Sequence, residues 1–139
     1  MGATEKIARF IVKTGYKDIP RDAVEKAKRT ALDCRAAALA GVVEPVSQTI
    51  TAYIAKLGGP PQASVFGAGL KVSAPDAAMA NGSIAHALDY DDITHFLKGH
   101  PSVVCLPPAL AVGEEVGASG RDVLLAYMIA FEVGCAIGS

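Results

Sequence analysis

The side chains best suited to acid–base chemistry are concentrated between residues 86 and 100. All three histidines of the chain lie there together with three aspartates: His86, Asp89, Asp91, Asp92, His95 and His100. Imidazoles and carboxylates exchange protons near neutral pH when a partly dry pocket tunes them. The segment therefore points to general acid–base catalysis, with a carboxylate and one or more imidazoles as the working groups.

Two other interpretations of this segment stay open. In a non-catalytic helical module, the aspartates would cap helices and form turns, and backbone carbonyls would satisfy the histidines. In a metal-dependent hydrolase, the same residue types would bind zinc, manganese or iron. The segment lacks H-E-x-x-H or a similar helical ligand spacing. We therefore predict no tightly bound metal.

An unusually apolar helix leads into this segment. Between residues 77 and 88 the only polar side chains are Asn81, Ser83 and His86, and Gly82 interrupts the middle. An interior glycine costs about 1 kcal/mol relative to alanine, so we expect close backbone packing or a nearby ligand there. If the helix extends to Asp89, that residue and His86 share one face.

The rest of the chain must hold this helix and loop in place. Hydrophobic periodicity, capping residues and helix breakers predict six helices and one hairpin. The helices cover Thr4–Lys13, a segment capped by Asp18, Pro45–Leu57, Ser73 to about Leu88, the segment from Pro107-Pro108 to Val116, and a last segment from Val123. The hairpin strands are Ala63–Phe66 and Leu70–Val72. The fold class is therefore mainly α, with one small β-hairpin. The last helix is apolar almost all round, which requires burial on several sides.

Composition excludes several function classes. Hydrophobic residues make up 51% of the 139 residues and charged residues 19%, with a formal net charge of −1, so no electrostatic footprint for nucleic acid is present. The apolar stretch over residues 123–137 contains Glu132 and is too short to span a bilayer. Cys34, Cys105 and Cys135 are widely spaced and in apolar surroundings, which is typical of buried, reduced thiols. We expect a cytoplasmic protein that binds neither membrane nor nucleic acid.

Several motifs together resemble one known family. They are Ala80-Asn81-Gly82, His86-Ala87-Leu88-Asp89-Tyr90-Asp91-Asp92, Gly99-His100-Pro101-Ser102 and the stretch from Gly117 to Tyr127. This pattern resembles the signature region of the 2-methylcitrate dehydratase (MmgE/PrpD) family, which includes dehydratases of propionate catabolism, cis-aconitate decarboxylases and iminodisuccinate epimerases. The resemblance implies a large all-helical domain with a smaller α+β lid domain, no cofactor and a homodimer.

The resemblance also implies roles for individual residues. The catalytic pair would be Asp89 and His100, and the residues that bind a small di- or tricarboxylate substrate would be Asp92, Thr94 and His95. Many family members pass directly from the paired aspartates to the threonine, whereas Ile93 intervenes here. The implied activity is a hydro-lyase reaction on a 2-methylcitrate-like acid, with decarboxylation or epimerisation on the same scaffold as alternatives.

Family members are several times longer than this chain, and other groups of their site come from later segments. We therefore expect residues 1–139 to be the N-terminal part of the helical domain, without the α+β lid. By itself this piece would be inactive. Its uncovered apolar helices would favour self-association.

Overall fold

A computed structural model of the chain describes residues 2–138. Six helices and one hairpin follow in the order α1 (Ala3–Lys13), α2 (Arg21–Gly41), α3 (Pro45–Leu57), β1 (Ala63–Val65), β2 (Leu70–Val72), α4 (Ala74–Ala85), α5 (Pro101–Glu115) and α6 (Gly120–Gly138), with a 3-10 turn at Tyr16–Asp18. The mainly helical fold with a small hairpin is confirmed. The strands pair antiparallel, with Ser64 opposite Lys71.

Helix α4 lies at the centre of the fold, packed against α2, α3 and α5, and α5 in turn packs against α6. Its buried residues are mostly alanines, which let neighbouring helices approach closely. Ile54 from α3 and Ile84 from α4 are almost completely buried in the same core. Truncation of such a side chain to alanine costs about 2–5 kcal/mol. The packed core therefore fixes the position of the C-terminal end of α4.

Helix α4 ends earlier than the sequence predicts. Ser73 caps its start, since the Asp76 N–H donates to the Ser73 hydroxyl, and this part of the prediction is confirmed. The helix stops at Ala85 rather than near Leu88, with His86 as the C-cap. Asp89 then has a φ of 53°, in the left-handed region that cannot continue a helix. The predicted common helical face of His86 and Asp89 is therefore wrong.

Helix α5 runs unbroken through Pro107-Pro108. The predicted short helix from the prolines to Val116 is wrong, because one helix covers Pro101–Glu115. Proline fits the helical φ but lacks the N–H that would bond four residues back, in this case to the Val103 carbonyl. That carbonyl faces α4, where a Cβ added at Gly82 would lie 3.0 Å from it. Close backbone packing explains the interior glycine.

Two further capping predictions have different outcomes. Asp18 does not cap α2; its carboxylate accepts the Gly15 N–H at 2.8 Å and closes the 3-10 turn, because Pro20 separates it from the helix start at Arg21. The Ser119–Asp122 capping signature is confirmed by reciprocal bonds between the two residues. The helix that it caps starts at Gly120, three residues before the predicted start.

Large apolar side chains lie exposed on the outer face of α2. Leu32 and Leu39 are each more than two-thirds exposed, and their spacing of seven residues places them on one face of the helix. Val43, which is 71% exposed, lies in the turn after the helix. Self-association through apolar helices was predicted for surfaces of this kind.

Among residues 2–138, none of the helices combines the length and apolar character that crossing a membrane requires.

Candidate active site

The packing of α4 against α5 brings the two ends of one loop together. His86 is the C-cap of α4 and His100 is the N-cap of α5, and residues 87–99 form the site loop between them. The two imidazole rings lie 4.7 Å apart between centroids, edge to face. Two histidines that are fourteen positions apart in sequence therefore form one site, since the helices that carry them are neighbours.

The Asp91 carboxylate contacts both imidazoles. Its side chain is fully buried, and its two oxygens lie 2.8 Å from His86 Nδ1 and 2.9 Å from His100 Nδ1. The first contact has hydrogen-bond geometry. The second is an ion-pair distance without hydrogen-bond alignment, so Asp91 Oδ2 and His100 Nδ1 are both buried without a hydrogen-bond partner among residues 2–138. Contact of both Nδ1 atoms with a carboxylate favours, in each neutral ring, a proton on Nδ1 and a lone pair on Nε2.

Asp89 lies on the outer side of the same cluster. Its Oδ1 is 3.4 Å from His100 Nε2, and its side chain is 75% exposed, whereas that of His100 is 25% exposed. The left-handed backbone of Asp89 turns this side chain back towards His100; aspartate tolerates that conformation better than most residues. His100 thus stands between a buried carboxylate and an exposed one. The structure brings the sequence-predicted pair together, and their catalytic roles stay predictions.

The other predicted site residues lie elsewhere on the site loop. Both carboxylate oxygens of Asp92 accept from Ser102, one from its N–H and one from its hydroxyl. Thr94 pairs with Gly99 through its backbone, and His95 is exposed. No hydrogen bond or ion pair within residues 2–138 joins Thr94 or His95 to the pair of imidazoles. Substrate binding by these three residues stays a prediction.

Sequence reasoning missed the two residues that complete the cluster. Neither His86 nor Asp91 was assigned a role, although both belong to the polar segment. The available signal was their position: His86 ends the apolar helix, and Asp91 is two residues beyond Asp89. Nothing in that spacing distinguishes a buried bridging carboxylate from a turn former. We call His86, Asp89, Asp91 and His100 the acid–base cluster.

The acid–base cluster could also hold a metal ion. One ligand atom from each of its four residues lies within 4.8 Å of the others, and two imidazoles with two carboxylates suit zinc, manganese or iron. The ligands come from a loop and two helix ends, so a search for ligand spacing within one helix could not find them. The geometry therefore leaves open a metal-dependent interpretation beside the acid–base one.

The cysteines contribute no nucleophile to this region. Burial, reinforced by the carboxylates of Asp92 and Asp91, raises the pKa of Cys34 to about 12. Burial raises the pKa of Cys105 to about 11. Both thiols are therefore protonated at neutral pH and are poor nucleophiles. All three cysteines of the chain are free, so the prediction of unpaired thiols is confirmed; the predicted burial is wrong for Cys135, which is only half-buried.

Comparison with known proteins places this geometry in a family. Residues 5–139 match the model of the MmgE/PrpD N-terminal domain. The chain belongs to the MmgE/PrpD family. The family predicted from the sequence is therefore confirmed, and the acid–base cluster lies in the part of this MmgE/PrpD chain that carries the family motifs.

The relatives are enzymes, all named as decarboxylases or as decarboxylase-like. The cis-aconitate decarboxylase of Aspergillus terreus is 31% identical over 142 residues, which cover 99% of this chain and 29% of that protein. The enzyme of the same name from Mus musculus is 28% identical over 94% of this chain and 28% of its own length. The Homo sapiens enzyme is 30% identical over 79% and 24%, respectively. This MmgE/PrpD chain thus spans less than a third of the relatives that it matches.

Proposed function

We propose that this chain forms the N-terminal part of a lyase that decarboxylates a small tricarboxylate of the cis-aconitate type by acid–base catalysis. The observation that carries the proposal is the row Asp91–His100–Asp89, in which a buried carboxylate and an exposed carboxylate flank one imidazole at 2.9 Å and 3.4 Å. Such a row can orient an imidazole and help to move its proton. The names of the relatives support the substrate class.

The chemistry requires a proton donor at a defined position. Cleavage of the carbon–carbon bond to a carboxylate releases CO2 and leaves its electron pair on the remaining carbon fragment. A proton must be delivered to that fragment, and His100 Nε2, on the accessible side of the ring, would deliver it. Asp91 at Nδ1 would stabilise the imidazolium before transfer and hold the ring orientation afterwards. Asp89 would assist by aligning His100 and returning a proton from solvent.

Dehydration of a 2-methylcitrate-like acid is the second candidate, and the presence of two imidazoles favours it. Dehydration needs a base for the proton on carbon and an acid for the departing hydroxyl group. His86 and His100 lie 4.7 Å apart and could divide these two tasks. Decarboxylation needs only one proton donor at the reacting carbon. The number of essential histidines therefore discriminates between the two reactions.

The test is an assay of the full-length enzyme that carries this segment, supplied separately with cis-aconitate and 2-methylcitrate. Released CO2 reports decarboxylation, and a new carbon–carbon double bond without CO2 reports dehydration. We expect His100→Ala and Asp89→Ala to lower kcat by about 10²- to 10⁴-fold. Asp33→Asn, on the exposed face of α2, is the control. The 139-residue chain, assayed beside the full-length enzyme, is expected to be inactive.

Two results would overturn the proposal. If the full-length enzyme processes neither acid, the substrate class is wrong. If both substitutions keep kcat near the unsubstituted value, Asp89 and His100 take no part in the mechanism. Loss of activity in His100→Ala but not in His86→Ala would support decarboxylation over dehydration.

A further inference from the structure

A buried chain of side-chain oxygens runs from the site loop into the helical core. Ser102 donates its N–H to Asp92 Oδ1 at 3.0 Å and its hydroxyl to Asp92 Oδ2 at 2.7 Å. The Tyr127 hydroxyl lies 2.6 Å from the Ser102 oxygen and 2.9 Å from the Thr30 oxygen. We call Asp92, Ser102, Tyr127 and Thr30 the polar chain. It connects the site loop, α5, α6 and α2 in that order.

The Ser102 hydroxyl proton has a definite direction, because a carboxylate can only accept. Each hydroxyl has one proton to donate, and the Ser102 proton goes to Asp92. The 2.6 Å contact between Ser102 and Tyr127 must then contain the Tyr127 proton. Burial raises the pKa of Tyr127, so this residue keeps its proton. The Thr30 hydroxyl donates to the Ala27 carbonyl at 3.1 Å, so the protons that point towards the Asp92 carboxylate are those of Tyr127 and Ser102.

The polar chain ties the middle of the site loop to the first turn of α5. Asp92 directly follows Asp91, and Ser102 is two residues after His100. One pair of hydrogen bonds therefore fixes the neighbour of the bridging carboxylate and the neighbour of the proposed proton donor. Ser102 and Tyr127 are at most 1% exposed, so water cannot readily replace these bonds.

Three of the large apolar side chains of the same loop lie exposed. Tyr90, Ile93 and Phe96 are 79%, 72% and 66% exposed. Lys98 adopts a φ of 60°, which is unfavourable for a lysine and must be imposed by its surroundings. A loop with exposed apolar side chains and an unfavourable backbone depends on its polar anchors. Those polar anchors are the acid–base cluster itself and the polar chain, beside the contact of Leu97 with Gly134 and Gly138 of α6.

We propose that Tyr127 and Ser102 are positioning residues of the site: through Asp92 they set the orientation of Asp91 and His100. Neither residue lies in the acid–base cluster, and each acts through the carboxylate that it supports. As an account of activity, this inference rests on the proposed function. As an account of His100 geometry, it does not.

The test compares Tyr127→Phe with Tyr53→Phe, which changes an exposed tyrosine in α3. Phenylalanine keeps the ring packing of Tyr127 against Phe131 and removes only the hydroxyl. The first measurement is the ¹⁵N signature of the imidazoles in the 139-residue chain, which reports the tautomer of each ring. We expect the His100 signals to shift or to split into two forms in Tyr127→Phe and to be unchanged in Tyr53→Phe.

The second measurement is turnover in the full-length enzyme. Tyr127→Phe is expected to lower kcat about tenfold and to change KM less than twofold, because misorientation affects the chemical step more than binding. Unchanged His100 signals together with unchanged kcat would overturn the inference, even if the melting temperature falls. If Tyr127→Phe does not fold, Ser102→Ala decides by the same criteria. A shift in the His100 signals without turnover of either acid would refute the proposed function alone.

Discussion

Asp91→Asn tests the proposed chemistry most directly, because it changes hydrogen-bonding capacity without changing shape. The Asp91 carboxylate lies 2.8 Å from His86 Nδ1, with hydrogen-bond geometry, and 2.9 Å from His100 Nδ1, at ion-pair distance. An asparagine offers one acceptor oxygen and one donor NH₂ group. One imidazole therefore keeps its acceptor, and the other meets a donor and must present a lone pair at Nδ1.

His100 is expected to be the ring that changes. The His86 contact is an aligned hydrogen bond, so the amide oxygen should stay on that side. The misaligned side, at His100 Nδ1, would then receive the NH₂ group. Its proton moves to Nε2, and no carboxylate remains at Nδ1 to stabilise the imidazolium that the proposed proton donor must form. Replacing an orienting carboxylate with an amide thus stabilises the wrong tautomer of the working imidazole.

The expected effects on activity and stability differ in size. Loss of general acid–base catalysis lowers kcat by about 10²- to 10⁴-fold, or about 3–5 kcal/mol in the activation barrier. Stability should fall by only about 1 kcal/mol, the difference between a charged and a neutral hydrogen bond. Asp91→Ala should cost more stability, about 1–3 kcal/mol, chiefly at His100. The His86 side chain is 48% exposed, so water can replace its lost partner.

The assay has three parts, each with Asp33→Asn as the control. Turnover of the preferred acid gives kcat and KM, urea unfolding gives stability, and imidazole ¹⁵N signals give the His100 tautomer. The reasoning fails if Asp91→Asn keeps kcat within about threefold of the unsubstituted enzyme. It also fails if activity is lost only in proportion to the unfolded fraction.

Three further outcomes are expected. Elemental analysis should find no stoichiometric zinc, manganese or iron, because both Asp91 oxygens already face imidazole nitrogens; a full equivalent of metal that chelation removes together with activity would favour a metal enzyme. The Lys71 ammonium, with bonds from Ser64, lowers the pKa of Glu114 to about 2, so its stabilising effect is complete above the ordinary value near 4.5 and is lost as the pH falls towards 2. The difference in urea midpoint between the unsubstituted chain and Glu114→Gln should accordingly vanish over that range. Cys34 and Cys105 should react with a thiol reagent only after unfolding; rapid labelling of either in the native chain would contradict their burial.

Elements with local boundary signals could be predicted from the sequence. Helix α3 begins at Pro45 and ends before Gly58, whose φ is 71°, so proline and glycine mark both ends correctly. The hairpin follows its glycine-rich turn, and α6 follows its Ser–Asp cap. Each of these signals acts within a few residues, which is why sequence reading recovers them.

Elements decided by packing could not be predicted in the same way. The two prolines in α5 are ordinary helix breakers, yet the helix continues through them where it packs against α4. The end of α4 also depends on its surroundings, since the residues up to Leu88 are compatible with a helix. Local propensity is overridden here by tertiary contacts.

The paired aspartates show why the candidate site was only half predictable. Asp91 and Asp92 are identical in type and adjacent in sequence. One is fully buried between two imidazoles, and the other supports the start of α5 through Ser102. Composition and spacing assign both aspartates to the same cluster, but they do not show which partners each side chain contacts. The partners of each carboxylate are set by the helices on which they lie. The different contacts of Asp91 and Asp92 therefore follow from the packing of α4 against α5.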